Sequence, residues 1–372
     1  MSSHNNHEPV QAIDQSMYVK RPLNYIGSKL TLLAYIDQIL TQHMNRSEGI
    51  VVDLFSGSSV VAQYFKQRGY SVIANDWQYY AYVLASAYIR IDTPPLFNQL
   101  DCDGFQSIIN SLNHLPGSDG LFVQTYCQGG LNDRCYFSQD NGRKIQAIRD
   151  QIEWWHESHK LSSIEYLWLK ACLLEAVDKV ANTTAIYGAF LKQLKQTALK
   201  PIVLKPIQPA DTIHSNQMHD VFCMDSIAVL ETISSRNVLL TYIDPPYNHR
   251  QYSSNYHILE TIARWDLHAF KPRGITGLRT ENENKSRFGM RDLVVTETQR
   301  LLDRVESQYV LFSYNNEGLL SERTLIDLIS NQFTILEFKK IPYCRFQTDS
   351  KKRRRIRRKV PEEYLILAQS KK

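Results

Sequence analysis

Along most of the chain, short apolar runs alternate with amphipathic stretches, the pattern of strands interleaved with helices. Leu30, Leu33, Ile36, Ile39 and Leu40 repeat at helical spacing and predict a first helix. Ile50, Val51 and Val52 form a short buried-strand run, stopped by Asp53 and a glycine turn. A helix through Val60, Val61, Ala62, Tyr64 and Phe65 follows and ends at Gly69. Residues 70–74 read as a second strand, closing at Asn75-Asp76. This strand–helix–strand unit predicts an α/β protein with a doubly wound, mainly parallel sheet. Further strands are predicted at 220–224, 238–243, 309–313, 333–338 and 364–368. The last follows a basic run with no room for a crossover helix, so the final two strands should pair as an antiparallel hairpin.

Between about 95 and 215 the pattern changes. A stretch punctuated by proline and glycine gives way to helical periodicity, marked by Ile145, Ile148, Ile152 and Trp155, then by Ile164, Leu167, Trp168, Ala171 and Leu174. A third helix is predicted through Tyr187, Phe190, Leu191 and Leu194, before Pro201, Pro206 and Pro209 mark the return to the sheet. The expected organisation is a disordered tail over 1–19, a main domain from 20–94 and 216–372, and an inserted, mainly helical subdomain over 95–215.

Composition narrows the class. With 43% hydrophobic and 22% charged residues, the 372-residue chain is ordinary for a globular protein and long enough to bury a core without disulfides. Six dispersed cysteines, with no C-x-x-C pair, argue against structural zinc and a disulfide scaffold. No apolar run reaches the roughly 18 residues of a membrane span, and the polar N-terminus lacks a signal-peptide stretch. A soluble cytoplasmic protein is expected. The net charge of +5 is local, because KKRRRIRRK alone carries eight positive charges and leaves the rest of the chain at −3. Lys351, Lys352, Arg353, Arg354, Arg355, Arg357, Arg358 and Lys359 thus form a point cluster suited to a polyanion.

Two constellations carry chemistry. In VVDLFSGSS a strand runs into Asp53 and then a turn of small residues, so a ligand can approach the backbone at a helix N-terminus. Asp76, 23 positions later at the end of the next strand, is placed to accept ribose hydroxyls. The turn is not G-x-G-x-x-G, so a nucleoside without phosphates fits better than a dinucleotide. The second constellation is Asp244-Pro245-Pro246-Tyr247, directly after a predicted strand. Two prolines fix the turn, leaving the Asp244 carboxylate and the Pro245 carbonyl as paired acceptors for an exocyclic amino group. Held that way, the nitrogen can offer its lone pair to an electrophile, and Tyr247 gives a flat face for stacking the base.

KRPLNYIGSK, VVDLFSGSS, IANDW and YIDPPY together resemble the motifs of S-adenosylmethionine-dependent DNA adenine-N6 methyltransferases. Their order resembles the Dam-like group, and the run from Asp244 through Tyr252 resembles its modification-methylase branch. The resemblance covers about residues 20 to 368 and implies a Rossmann-like class I methyltransferase sheet. It assigns Tyr25, Gly27 and Lys29 to the methionine portion of the cofactor, and Asp53, Phe55 and Gly57 to the loop around it. Asp76 matches the ribose acceptor, Trp77 the neighbour of the adenine ring, and Asp225 the acceptor for the adenine amino group. Asp244, Pro245, Pro246 and Tyr247 match the catalytic motif. Ser59 stands where the family commonly has a second glycine, which implies slightly altered cofactor affinity.

The resemblance further implies base flipping in double-stranded DNA, methyl transfer without a metal, and a companion restriction endonuclease acting on the same site. The basic run would lie along phosphates, and the insertion would read sequence, with Arg134, Arg143, Lys144, Lys192, Lys195 and Lys200 as candidate contacts. A monomer is expected. Transfer to the cytosine amino group, an RNA substrate, or a DNA-binding regulator without catalysis would use the same motifs.

Overall fold

The computed structural model describes residues 19–44, 48–100, 103–184, 186–207, 217–249, 251–279, 285–342 and 361–372. The basic run 351–359 and Pro209 lie outside these residues, and the proposed tail does so almost entirely. Seven strands form one sheet: β1 (Ile50–Asp53), β2 (Ser71–Asn75), β3 (Asp220–Phe222), β4 (Val238–Ile243), β5 (Tyr309–Asn315), β6 (Phe333–Pro342) and β7 (Glu362–Ser370). Their order is β3-β2-β1-β4-β5-β7-β6. The first five run parallel, and β7 is antiparallel to both β5 and β6. This is the expected Rossmann-like class I sheet with its C-terminal hairpin. Strand order reverses between β1 and β4, which opens a crevice at their carboxyl ends.

The helices are α1 (Leu33–His43), α2 (Val60–Gln67), α3 (Tyr79–Ala85), α4 (Gly104–His114), α5 (Leu121–Tyr126) and α6 (Gln139–Glu157), followed by α7 (Ser163–Val180) and α8 (Ser226–Thr232). The rest are α9 (Tyr252–Asn255), α10 (His257–Arg264), α11 (Val294–Arg304) and α12 (Glu322–Ser330). In the 95–215 segment, the stretch punctuated by proline and glycine carries α4 and α5 ahead of the predicted helices. The third predicted helix does not form. There, Asn182 Nδ2 donates to the Leu191 carbonyl (2.9 Å), and Lys195 N donates to Asn182 Oδ1 (3.0 Å). A side chain that satisfies the backbone in this way competes with helix formation.

Each face of the sheet has its own core. Val51, Leu240, Leu311 and Leu365 share one apolar cluster with Leu33, Val61 and Tyr80, and also with Ile145, Trp168 and Leu174. The helices of the 95–215 segment therefore pack into the same core as α1–α3. On the other face, Val52, Ile243, Phe312 and Ile366 cluster with Ile227, Leu301 and Leu325 of α8, α11 and α12. Among the described residues no helix is long and apolar enough to cross a membrane.

Candidate active site

Three carboxylates mark the carboxyl ends of the central strands: Asp53 closes β1, Asp76 follows β2 and Asp244 follows β4. The turn after β1 is fastened by its own backbone. Leu54 N donates to Tyr242 O, Ser56 N to Asn75 O and Ser59 N to Ser56 O, while Gly57 N donates to Asp76 Oδ2 at 2.8 Å. Donors used this way are not available to phosphates, which agrees with a nucleoside ligand. Gly57 has φ +49°, and a Cβ there would lie 2.9 Å from the Tyr25 ring, so the close approach requires glycine.

The N-terminal segment is clamped over this edge. Tyr25 stacks on Tyr256 with centroids 4.8 Å apart and on Tyr252 at 5.8 Å. Ile26 N donates to the Tyr256 hydroxyl (2.8 Å), and Asn24 donates from N and Nδ2 to Asp178 of α7. Lys29 Nζ, on a residue 4% exposed, donates to Gly27 O (3.0 Å) and pairs with Asp244 Oδ2 at 2.8 Å. The expectation set Lys29 on the cofactor; its observed partner is the carboxylate of the second constellation.

Burial governs the electrostatics. It would push the Lys29 ammonium down, but Asp244 and Glu363 outweigh it and hold the charged form well above the ordinary lysine value. Burial pushes the Asp244 carboxyl up, and Lys29 opposes that shift. Asp53 goes well above the carboxylate range through burial, then through repulsion by Asp244 and Asp76. Burial lifts Asp76 to about 6, against hydrogen bonds from Gln78 N and Gly57 N. His257 is pushed down to about 4 by burial and faces the carbonyls of Ser254 and Thr276, so it belongs to the packing.

Two clefts adjoin here and share Phe55, Trp77 and Ser286. The first, about 700 Å³, is lined by Tyr25, Gly27, Asp76, Asp244, Pro245 and Tyr252 among others. The second, about 870 Å³, takes in Asn75, Met224 and Asp225. An adenosyl sulfonium fits this setting. Phe55 and Trp77 offer flat apolar faces between the clefts, and Asp76 and Asp225 offer acceptors at their rims. Asp53 Oδ1 and the hydroxyls of Ser56 and Ser59 are buried without hydrogen-bond partners among the described residues.

Other supports were not foreseen. Asn75 ties three strand ends together, donating from Nδ2 to Leu54 O and Met224 O and accepting from Met224 N. Glu260 of α10 accepts from Tyr79 N and Tyr80 N, capping α3 beside Asp76. A polar residue at a strand end was the only hint of the first, and nothing local signals the second. Several candidate DNA contacts of the insertion are turned to other uses. Arg134, 4% exposed, donates to the carbonyls of Thr125, Gly274 and Ile275. Lys144 bonds Asn113 O, Lys195 bonds Thr183 O, and Arg143 pairs with Asp119. Lys192 and Lys200 are exposed.

The family model described as D12 class N6 adenine-specific DNA methyltransferase matches residues 25–325. Type II methyltransferase M.NlaIII of Neisseria lactamica is 37% identical over 348 residues, covering 92% of this chain and 98% of that protein. Modification methylase StsI of Streptococcus sanguinis is 35% identical over 332 residues, covering 88% of this chain and 49% of its own length. Type II methyltransferase M.CviAII of Paramecium bursaria Chlorella virus 1 is 32% identical over 319 residues, covering 83% and 88%. The matched span runs from the clamped Tyr25 past the carboxylate-lined edge into α12, and the chain belongs to the D12 class of N6 adenine-specific DNA methyltransferases.

Proposed function

We propose that this methyltransferase acts on one adenine within a fixed sequence of duplex DNA, as the modification half of a restriction–modification pair. The observation that carries the reading is the Asp244–Pro245 turn opening into the cleft bounded by Tyr25, Gly27 and Asp76. S-adenosylmethionine, the methyl donor of the family, supplies an electrophilic methyl group on a sulfonium. Tyr25 and Gly27 would bound its methionine portion, with Asp53, Phe55 and Gly57 forming the loop around it. Asp76 would accept from the ribose, Trp77 would pack on the adenine ring, and Asp225 would take its amino group.

The substrate adenine donates one amino hydrogen to Asp244 and the other to the Pro245 carbonyl, while Tyr247 stacks on the base. This removes the nitrogen lone pair from conjugation and aims it at the methyl group. Positioning and electrostatics then supply most of the rate. A stacked base cannot reach the cleft, so it must be flipped out of the duplex. Sequence is read by the 95–215 segment, and the basic run 351–359 follows phosphates without reading bases. The protein works as a monomer in the cytoplasm, beside an endonuclease that cuts the same unmethylated site.

Incubation with labelled S-adenosylmethionine and unmethylated duplex DNA, followed by digestion to nucleosides, tests the reading. N6-methyladenine is the expected sole labelled product. Methylated cytosine would overturn the base assignment, and label found only on RNA would overturn the substrate. Asp244→Ala should lower transfer by at least about 10³-fold. The same variant should bind DNA within a few fold of wild type. A variant that keeps its activity would remove Asp244 from the chemistry.

A further inference from the structure

Glu363, near the start of β7, is a buried carboxyl that the reaction above leaves without a task. It is 5% exposed, and its Oε2 has no hydrogen-bond partner among the described residues. The strand register puts it beside the catalytic edge. Asn315 pairs with Glu363, and Ser313 pairs with Leu365. Phe312 pairs with Ile243, the residue before Asp244. Tyr242, Leu311, Leu365 and Leu367 pack in the larger core, whereas Ile243, Phe312, Tyr364 and Ile366 pack in the smaller one. By strand alternation, Asp244, Ser313 and Glu363 therefore share one face at one end of the sheet. Lys29 lies on that face, bonded to Asp244 at 2.8 Å.

Burial pushes the Glu363 carboxyl up, and Lys29 and a hydrogen bond from Asn315 oppose that shift, because an ionised carboxylate buried this deeply needs a cation. Lys29 answers to both acids, to Asp244 most strongly and to Glu363 next. We infer that Glu363 is a positioning residue for Asp244: from the same face of the sheet, its charge offsets part of the pull of the Lys29 ammonium and leaves the Asp244 carboxylate enough negative charge to accept a hydrogen from the substrate amino group. The inference rests on the reaction proposed above. An ammonium devoted to Asp244 alone would make it a weaker acceptor, because charge held by one partner is withheld from the other. A second carboxylate in range of the same ammonium relieves that.

The other groups facing Asp244 do not supply this effect. They are Asp53 from β1, Tyr242 from β4, Tyr247 from the turn after it, Tyr252 from α9, and the neutral Ser313 from β5. Burial pushes the Tyr242 and Tyr252 phenols well above their ordinary value, and burial with its two acidic neighbours drives Asp53 toward the neutral acid. Burial and Asp244 raise Glu363 as well, but Lys29 is the largest influence opposing that shift, whereas Asp53 is opposed only by backbone hydrogen bonds; Glu363 is thus the acid that can divide Lys29 from Asp244.

The test compares wild type, Glu363→Gln and Glu363→Asp in single-turnover methylation of duplex DNA across the pH range. Glu363→Gln should lower the plateau rate about tenfold and move the acid limb to lower pH, because an undivided Lys29 keeps Asp244 ionised further into acid. Affinities for S-adenosylmethionine and DNA, measured separately, should stay within about twofold. Glu363→Asp keeps the charge and should recover the plateau to within about threefold, with its acid limb between the other two. A Glu363→Gln protein with wild-type rate and profile overturns the inference. So does a rate loss matched by an equal loss of cofactor affinity, which marks a packing role. If Glu363→Gln fails to fold, Glu363→Asp decides: an acid limb identical to wild type overturns the inference, and a limb shifted to lower pH supports it. Wild-type protein that methylates no adenine would instead sink the parent reaction.

Discussion

At the carboxyl ends of β1, β2 and β4, Asp53, Asp76 and Asp244 gather near Lys29, and the turn after β1 leaves buried polar oxygens without partners among the described residues. The 95–215 segment is also rich in charge, yet Arg134, Lys144 and Lys195 are tied to backbone carbonyls. In the first region, strand ends and a glycine turn hold titratable groups at the rim of a cleft. In the second, cations satisfy carbonyls in the last turns of α4 and α5 and in irregular connections, which helix or sheet ladders leave open. Residue type alone does not separate the two uses. The local backbone does, because a tight turn at a strand end leaves side chains facing a crevice, whereas a long irregular connection absorbs them.

Arg134→Ala is the strongest way to break this contrast. Its guanidinium makes three hydrogen bonds to carbonyls, two of them to the Gly274–Ile275 turn beyond α10. Loss of a buried, charge-assisted set of this kind should cost about 3 kcal/mol of stability. Denaturant unfolding and DNA-binding isotherms check it together. The expected result is a large fall in the unfolding midpoint, with DNA affinity unchanged below the new transition. A stable variant that loses DNA affinity would return Arg134 to the DNA contacts and erase the difference between the two regions.

What the sequence revealed follows the same division. The apolar runs of β1, β4 and β5 and the tetrapeptide at Asp244 are local signals, and their strands fall where expected, with β5 extended to Asn315. The turn after β1 was equally legible, since Gly57 and the small residues around it are adjacent in the chain. The pairing of Lys29 with Asp244 joins residues from distant parts of the sequence, and so does the capping of α3 by Glu260. No window along the chain contains those contacts. The missing helix near 187–194 failed for a different reason: its apolar spacing was helical, but Asn182 already held the backbone. Periodicity reports which side chains prefer burial, and it does not report which carbonyls are already bonded.

A second prediction concerns Asp76, the proposed ribose acceptor. Asp76 sits at about 6 because burial disfavours its charge. The folded value is raised above the ordinary 3.8, so the contribution of this group to stability is fully present below that value and is lost as pH rises through about 6. Accepting a ribose hydroxyl makes the opposite demand, since the ionised form is the stronger acceptor. Cofactor affinity, measured by titration calorimetry, should therefore weaken about tenfold as pH falls from about 7 to about 5. Asp76→Asn should bind weakly at every pH and flatten the profile. A flat profile in the wild-type protein would remove Asp76 from the cofactor.

The smallest expected effect concerns Ser59, which has φ 60° and ψ 18° at the start of α2. Left-handed backbone costs a residue with a Cβ about 1–2 kcal/mol relative to glycine. Its hydroxyl is also buried without a partner among the described residues. Ser59→Gly relieves both, while glycine returns part of the gain through its more flexible unfolded chain. The net should be a stabilisation of about 1 kcal/mol, read as a higher denaturant midpoint with an unchanged slope. The same variant asks whether that hydroxyl is idle or waiting. If it is idle, S-adenosylmethionine affinity stays within about threefold. If affinity falls tenfold or more while stability rises, the serine has kept a strained backbone in order to offer its oxygen to the cofactor. The unpartnered atoms of this turn would then be ligands, and the distinction from Arg134, Lys144 and Lys195 of the insertion, which are bonded to carbonyls, would extend to a single hydroxyl.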